Sequence, residues 1–109
     1  MERVVTDYPG LRVVVPHLGA DEFDGYARLL ERHDNLWLDT TMAIADYLPG
    51  ENPIRMIEAR PSRIMYGTDF PNLPYAWDRE VKKIQGHDLS EEARALVLGG
   101  TARTLFDIR

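Results

Sequence analysis

The sequence contains no cysteine, which excludes disulfides, thiolate nucleophiles and cysteine-ligated zinc and accords with a reducing cytoplasm. It also lacks a long apolar run. Nothing approaches the ~18 consecutive apolar residues of a spanning helix, and Met1 to Gly10 carries Glu2, Arg3 and Asp7 where a signal peptide needs an apolar stretch. A soluble, cytoplasmic chain without a leader is therefore expected. There is no excess of basic residues: 13 Lys+Arg stand against 18 Asp+Glu, a formal net charge of −5. That balance argues against a nucleic-acid or anionic-membrane partner. Gly99-Gly100 follows a helical pattern rather than a strand, so no Gly-rich phosphate loop is present. There is no internal repeat at the level of residue identity and no low-complexity segment.

What is present is ordinary globular material. Apolar residues make up 44% and charged residues 28% of the 109 positions, enough for a core and for one domain covering 1–109.

Three short apolar runs, Val13-Val14-Val15, Leu36-Trp37-Leu38 and Ile64-Met65-Tyr66, do not alternate with polar residues and read as strands buried on both faces. Between the first two, Phe23, Tyr26, Ala27 and Leu30 fall at i, i+3, i+4 and i+7, one helix face, with Asp21 as N-cap. Pro53 suits the first position of a short helix carrying Ile54, Met56 and Ile57, closed by Pro61. A further helix places Trp77, Val81 and Ile84 on one side and stops at Gly86. Ser90, followed by Glu91 and Glu92, starts another that runs through Val97. Gly99-Gly100 interrupts it, and Thr101 is placed to cap a last turn holding Leu105 and Phe106. Trp37, Trp77, Tyr26 and Phe106 read as packing residues. Strand alternating with helix three times predicts an α/β fold with parallel strands joined by crossover connections.

The polar residues that follow the strands carry the chemistry. His17 follows the first strand, Asp39-Thr40-Thr41 the second and Asp69 the third. In parallel α/β folds the carboxyl ends of the strands form the ligand-binding edge, so a histidine and two aspartates share one rim. Such a set suits a divalent metal or acid/base chemistry. Each also has a structural reading: His17 as a histidine bonded to a backbone carbonyl, Asp69 as a turn aspartate before Pro71, Asp39 as the cap of a loop. His33 and His87 lie in polar turns and read as solvated. Lys82 and Lys83 with Arg79 read as a solvated helix face.

Three segments, His17-Leu18-Gly19, Met65-Tyr66-Gly67-Thr68-Asp69-Phe70-Pro71 and Leu98 to Phe106, resemble in order and spacing the amidohydrolase-related branch of metal-dependent TIM-barrel enzymes. The resemblance runs from about Tyr8 to the C-terminus. It implies that the first strand is the sixth of a barrel and the third the eighth, making the chain a parallel (βα)3 segment plus a C-terminal helix, an incomplete barrel. It implies catalytic roles for His17, as the group contacting substrate or developing charge, and for Asp69, as metal ligand and base toward a metal-bound water. The cofactor implied is a divalent ion, Zn or Mn. The substrate implied is a small carboxylate or lactone, which a family member hydrolyses or decarboxylates. Two departures matter. Thr101 stands where the family usually has asparagine, and the family's first-strand His-x-His pair and fifth-strand histidine are absent from a chain whose histidines are His17, His33 and His87. A full barrel needs ~250 residues and eight strands. The chain is therefore expected to be the C-terminal part of a larger enzyme, inactive alone, with too few ligands to hold the metal by itself. The alternative is a non-catalytic α/β module. In either case unpaired sheet edges favour self-association or docking to the missing barrel half.

Overall fold

In a computed structural model, described here for residues 1–108, the three apolar runs form one parallel sheet: β1 (Val13–Val15), β2 (Leu36–Asp39) and β3 (Ile64–Met65). Their order is β1-β2-β3, with Val14 beside Trp37 and Leu38 beside Ile64. The helices are α1 (Glu2–Asp7), α2 (Phe23–Arg32), α3 (Arg55–Ala59), α4 (Arg79–Gly86), α5 (Glu91–Ala95) and α6 (Thr101–Phe106). The expected α/β segment with parallel strands and helical crossovers is thus what the chain forms.

The pleat sends alternate residues to opposite faces. Leu36, Leu38 and Ile64 are fully buried on the helix side, where Leu29, Leu30, Ile44, Ile57, Ile84 and Val97 pack in one cluster. Burying each such side chain stabilises the fold by about 1.5–3 kcal/mol before chain entropy. Trp37 and Asp39, offset by one from Leu36 and Leu38, take the other face and stay half-buried. The Arg63 guanidinium lies 4.9 Å from the centroid of Trp37 and donates to the carbonyls of Leu36 and His33.

Polar side chains fasten the segments that the sheet does not hold. The buried Asn35 donates from its amide to the carbonyls of Val5, Tyr8 and Leu11, each at 3.1 Å, closing the chain that leads from α1 into β1. Ser90 accepts from Ala93 N–H at 3.1 Å, the expected cap of α5. Arg94 donates to the carbonyls of Ile84, His87 and Leu89, using a cation where the end of α4 leaves acceptors free.

Gly99-Gly100 interrupts the last helix as expected, by means of a π-helical turn over Leu96–Gly100. Thr101 N–H bonds back to Leu96 rather than Val97. The Val97 carbonyl instead accepts from Tyr66 N–H at 2.8 Å, at the end of β3. That contact covers part of the β3 edge, and β3 ends at Met65 rather than at Tyr66.

Several local expectations need correcting. Asp21 does not cap α2: Glu22 occupies that position without a side-chain bond. The helix after Pro53 begins at Arg55, with Pro53 supplying the carbonyl that Met56 N–H reaches at 2.9 Å. Thr101 is helical and buried, and its hydroxyl donates to Pro61 O at 2.6 Å instead of capping. Trp77 and Phe106 are 60% and 55% exposed, so neither packs in the core. Trp77 precedes α4, whose buried positions are Glu80 and Ile84, so of the expected face Ile84 is buried, Val81 is half-buried and Trp77 lies outside the helix. Among the described residues no helix is long and apolar enough to cross a membrane.

Candidate active site

Because the strands are parallel, the segments leaving their carboxyl ends share one edge, and these segments carry His17, Asp39 to Thr41 and Asp69. The backbone there is unusual. Six of the seven non-glycine residues with positive φ, namely His17, Leu18, Ala20, Met42, Asp46 and Asp69, lie in these connections. Each such conformation costs on the order of 1–3 kcal/mol and persists only when its surroundings impose it, a pattern typical of functional edges.

His17 opens a left-handed turn, φ 60, continued by Leu18 at φ 50 and Gly19 at φ 88. A Cβ on Gly19 would overlap the ring of Tyr26, so the third residue of His17-Leu18-Gly19 has to be glycine for α2 to approach. The half-buried His17 ring places Nδ1 2.7 Å from the Thr41 carbonyl oxygen. A carbonyl only accepts, so Nδ1 carries the proton and Nε2 keeps its lone pair when the ring is neutral. Beside it opens a cavity of about 240 Å³, lined in part by Phe23, Met42, Leu48 and Asn52.

The end of β2 packs directly on the end of β3. The Asp39 carboxylate accepts from Thr41 N–H at 3.0 Å, so the loop-capping reading of Asp39 holds. The Thr40 hydroxyl accepts from Gly67 N–H at 3.3 Å. A Cβ on Gly67 would overlap the Thr41 hydroxyl and lie 3.2 Å from Asp39 Oδ1. Asp69 follows two residues later, exposed, at φ 63, its carbonyl accepting from Asn72 N–H at 2.8 Å in a tight turn. Among the described residues no hydrogen bond or ion pair joins the Asp69 side chain to His17 or Asp39.

Glu80 is the group that the sequence pattern missed. It is 0% exposed at the start of α4 and accepts from Ile44 N–H at 3.4 Å and from the Tyr75 hydroxyl at 3.3 Å. Burial pushes its pKa up, opposed by the backbone N–H groups of Met42 and Ile44 and by the Tyr75 hydroxyl and assisted by the negative charge of Asp39. The Tyr75 phenol is pushed up to about 12, first by burial and then by Glu80. On the outer side of the same loop, Asp46 is held below the usual carboxylate range by hydrogen bonds from Lys83 and Asn52. A wider groove of about 800 Å³ runs between Asn52, Tyr75 and Lys83, and it includes neither His17 nor Asp69.

The donor set does not by itself fit a divalent metal. Among the described residues no three His, Cys, Asp or Glu side chains lie close enough to hold one. Three or more protein ligands are typical of a catalytic site, so these residues do not make up a metal centre.

Parallel strands joined by helices, with the polar residues gathered at the carboxyl edge, are the arrangement of part of a TIM barrel. Two solved structures agree on the fold. An uncharacterised TIM-barrel protein from Bordetella bronchiseptica superimposes with a TM-score of 0.81 at 24% identity, over 97% of this chain and 37% of that one. The 5-carboxyvanillate decarboxylase from Sphingomonas paucimobilis superimposes with a TM-score of 0.65 at 22% identity, over 97% of this chain and 36% of that one. The chain therefore spans little more than a third of either structure. No curated protein matches it. A family model described as amidohydrolase matches residues 1–108, and the chain belongs to that family.

Proposed function

We propose that the chain is the C-terminal (βα)3 portion, strands six to eight, of a metal-dependent amidohydrolase-type enzyme that hydrolyses or decarboxylates a small carboxylic acid or lactone. The observation that carries this reading is the family match across residues 1–108 in a chain whose rim presents His17 and Asp69 after two parallel strands. The decarboxylase among the structural neighbours supports a carboxylate substrate. In this reading Asp69 is the one carboxylate the chain contributes to a Zn or Mn ion and serves as a proton acceptor. Its exposure leaves it free to meet ligands supplied by other strands. His17 is the substrate-side group, its Nε2 left free by the Nδ1 contact to Thr41.

The test compares the 109-residue chain with a protein that adds the strands bearing a His-x-His pair, assayed with lactones and small aromatic carboxylic acids. The isolated chain is expected to show negligible turnover, and the completed protein to lose about 10²–10⁴ in kcat on Asp69→Asn. Robust turnover by the isolated chain that vanishes in Asp69→Asn would overturn the reading of an incomplete site. Full activity of Asp69→Asn in the completed protein would remove Asp69 from it.

A second role accompanies the first: association. Among the described residues β1 has no strand on its outer side, and Trp37 and Asp39 stay half-buried on the sheet face opposite Leu36 and Leu38. The complementary part of a barrel is the partner this surface fits.

A further inference from the structure

The segments that leave the carboxyl ends of β1 and β2 border a cavity of about 240 Å³ with His17 on its wall. They are pinned together where the His17 ring meets the Thr41 carbonyl at 2.7 Å. The loop from Asp46 to Asn52 lines the cavity as well and is held by its own bonds. Asn52 donates to the Ile44 carbonyl at 3.0 Å and to the Asp46 carboxylate at 2.6 Å, and its side-chain oxygen accepts from Ile54 N–H at 3.1 Å. The space is therefore a formed pocket beside a candidate site residue, the arrangement in which small ligands bind.

Two features of the lining select the occupant. Phe23, Met42 and Leu48 supply apolar surface, and Leu48 is 58% exposed, so it still has area for an occupant to cover. The ionised side chains on the wall are all acidic, Asp21, Asp46 and Glu51, and no lysine or arginine joins them. Asp46 is paired with Lys83, which lines the wider groove instead. Asp21 and Glu51 form no ion pair among the described residues, so no salt bridge within the chain offsets their charge. An apolar cavity of ~150 Å³ holds a benzene, so this one has room for a ring with a short substituent. A carboxylate entering it would meet like charges and find no cation to pair with, and such a repulsive element discriminates as effectively as an added contact.

We propose that this cavity is the specificity pocket of the rim site: it takes an uncharged apolar end of the substrate and rejects an end that carries a carboxylate. This deepens the proposed function and rests on its reading of the rim as the site for a small carboxylic acid or lactone. The reacting group then lies outside the cavity, toward the Asp69 connection, and a substrate with a second carboxylate at its far end is disfavoured.

The test reads binding rather than turnover. The 15N-labelled 109-residue chain is titrated with cyclohexylmethanol and with cyclohexanecarboxylate, which share a carbon skeleton and differ in charge. The solution is kept at low ionic strength and pH ~8, where a free imidazole is neutral and surface charge is least screened. The alcohol is expected to shift the amide resonances of Ala20, Phe23, Met42 and Leu48 saturably, and the carboxylate to bind about tenfold more weakly or less well still. Asp21→Asn combined with Glu51→Gln should narrow that gap to about threefold or less. Leu48→Ala should weaken the alcohol by about threefold. All three positions are exposed, and a dispersed amide spectrum verifies that each variant folds. An alcohol that leaves these amides unmoved overturns the proposal, as does a carboxylate that binds equally well or a gap that persists unchanged in the double variant. No metal and no Asp69 chemistry enters the measurement. Absence of turnover in the completed protein would leave a confirmed charge preference standing, and equal binding of the two probes would leave the assignments of His17 and Asp69 standing.

Discussion

At the scale of single residues, a buried carboxylate that forms no ion pair among the described residues makes one contribution to stability that depends on pH. Glu80 has its pKa raised above the ordinary 4.5, chiefly by burial, so the folded state binds its proton more tightly than the unfolded state does. The contribution of this group to stability is therefore full below about pH 4.5 and is lost as pH rises through its folded pKa. Glu80→Gln removes that dependence. Urea unfolding of the two proteins from pH 4 to pH 8 is expected to show the unaltered chain losing stability relative to the variant as pH rises, and parallel curves would refute the assignment. Asn35 acts without charge. Its amide serves three carbonyls of the segment between α1 and β1, and Asn35→Ala leaves them without that donor inside the fold. A loss of about 1–3 kcal/mol is expected in the same unfolding measurement, whereas a loss under about 0.5 kcal/mol would mean that water replaces the amide. Neither residue announces itself in the sequence. Glu80 stands among charged residues at the start of an amphipathic helix, and Asn35 stands in a polar turn, where solvent is the ordinary partner of both.

At the scale of elements, the joint between β2 and β3 is tight enough to specify its residues. Gly67 lies where a Cβ would overlap the Thr41 hydroxyl, so Gly67→Ala is expected to cost about 1–3 kcal/mol through overpacking. Adding Thr41→Ala removes the overlapping oxygen. A double-mutant cycle should then give a coupling of about 0.5–3 kcal/mol, and strict additivity would show that the two ends are not in contact. The strands themselves were legible, because continuous apolar runs of three residues between turn signals leave little choice, and β1 and β2 fall within a residue of their expected bounds. The Ser90 cap and the break at Gly99-Gly100 were legible from local chemistry as well. The face of α2 was legible too, with Leu30 buried and Phe23 and Tyr26 packed against the core, but that of α4 was legible only at Ile84. Trp77 fits the period of Val81 and Ile84, yet α4 begins only at Arg79, and its register is fixed by the contact of Glu80 with a loop 36 residues earlier in the chain. Tyr66 was counted as strand, but the π-helical turn supplies its N–H with the Val97 carbonyl, a partner that no local pattern encodes. At the site, parallel topology alone brought His17, Asp39 and Asp69 to one edge, while the Thr41 carbonyl and the Glu80 clamp depend on tertiary packing.

The whole molecule is an open sheet with a covered side and an uncovered one, and the asymmetry has a cause. Where helices pack, Leu36, Leu38 and Ile64 are fully buried, whereas the opposite face leaves Trp37 half-buried against Arg63. At the sheet edges β3 is partly capped by Val97, but among the described residues β1 pairs with β2 alone. Near the chain ends Val4, Tyr8, Leu11, Phe106 and Ile108 are exposed, as are Phe70 and Trp77 on the rim connection. A free strand edge next to uncovered aromatic and aliphatic surface drives association, because pairing satisfies backbone groups and burial removes apolar area from water. The 109-residue chain is therefore expected to self-associate, with a mass by sedimentation that rises with concentration. Adding the complementary strands of a barrel should replace this with a one-to-one complex, since the same edge and face cannot serve both partners. Val14→Lys tests the face directly: Val14 lies beside Trp37 in the sheet, and a lysine there places a charge where apolar surface must be buried. Its mass is expected to stay closer to that of the monomer at each concentration. An unaltered chain that remains monomeric throughout, or a Val14→Lys variant that associates as strongly, would show that this side of the sheet is not the surface the molecule uses.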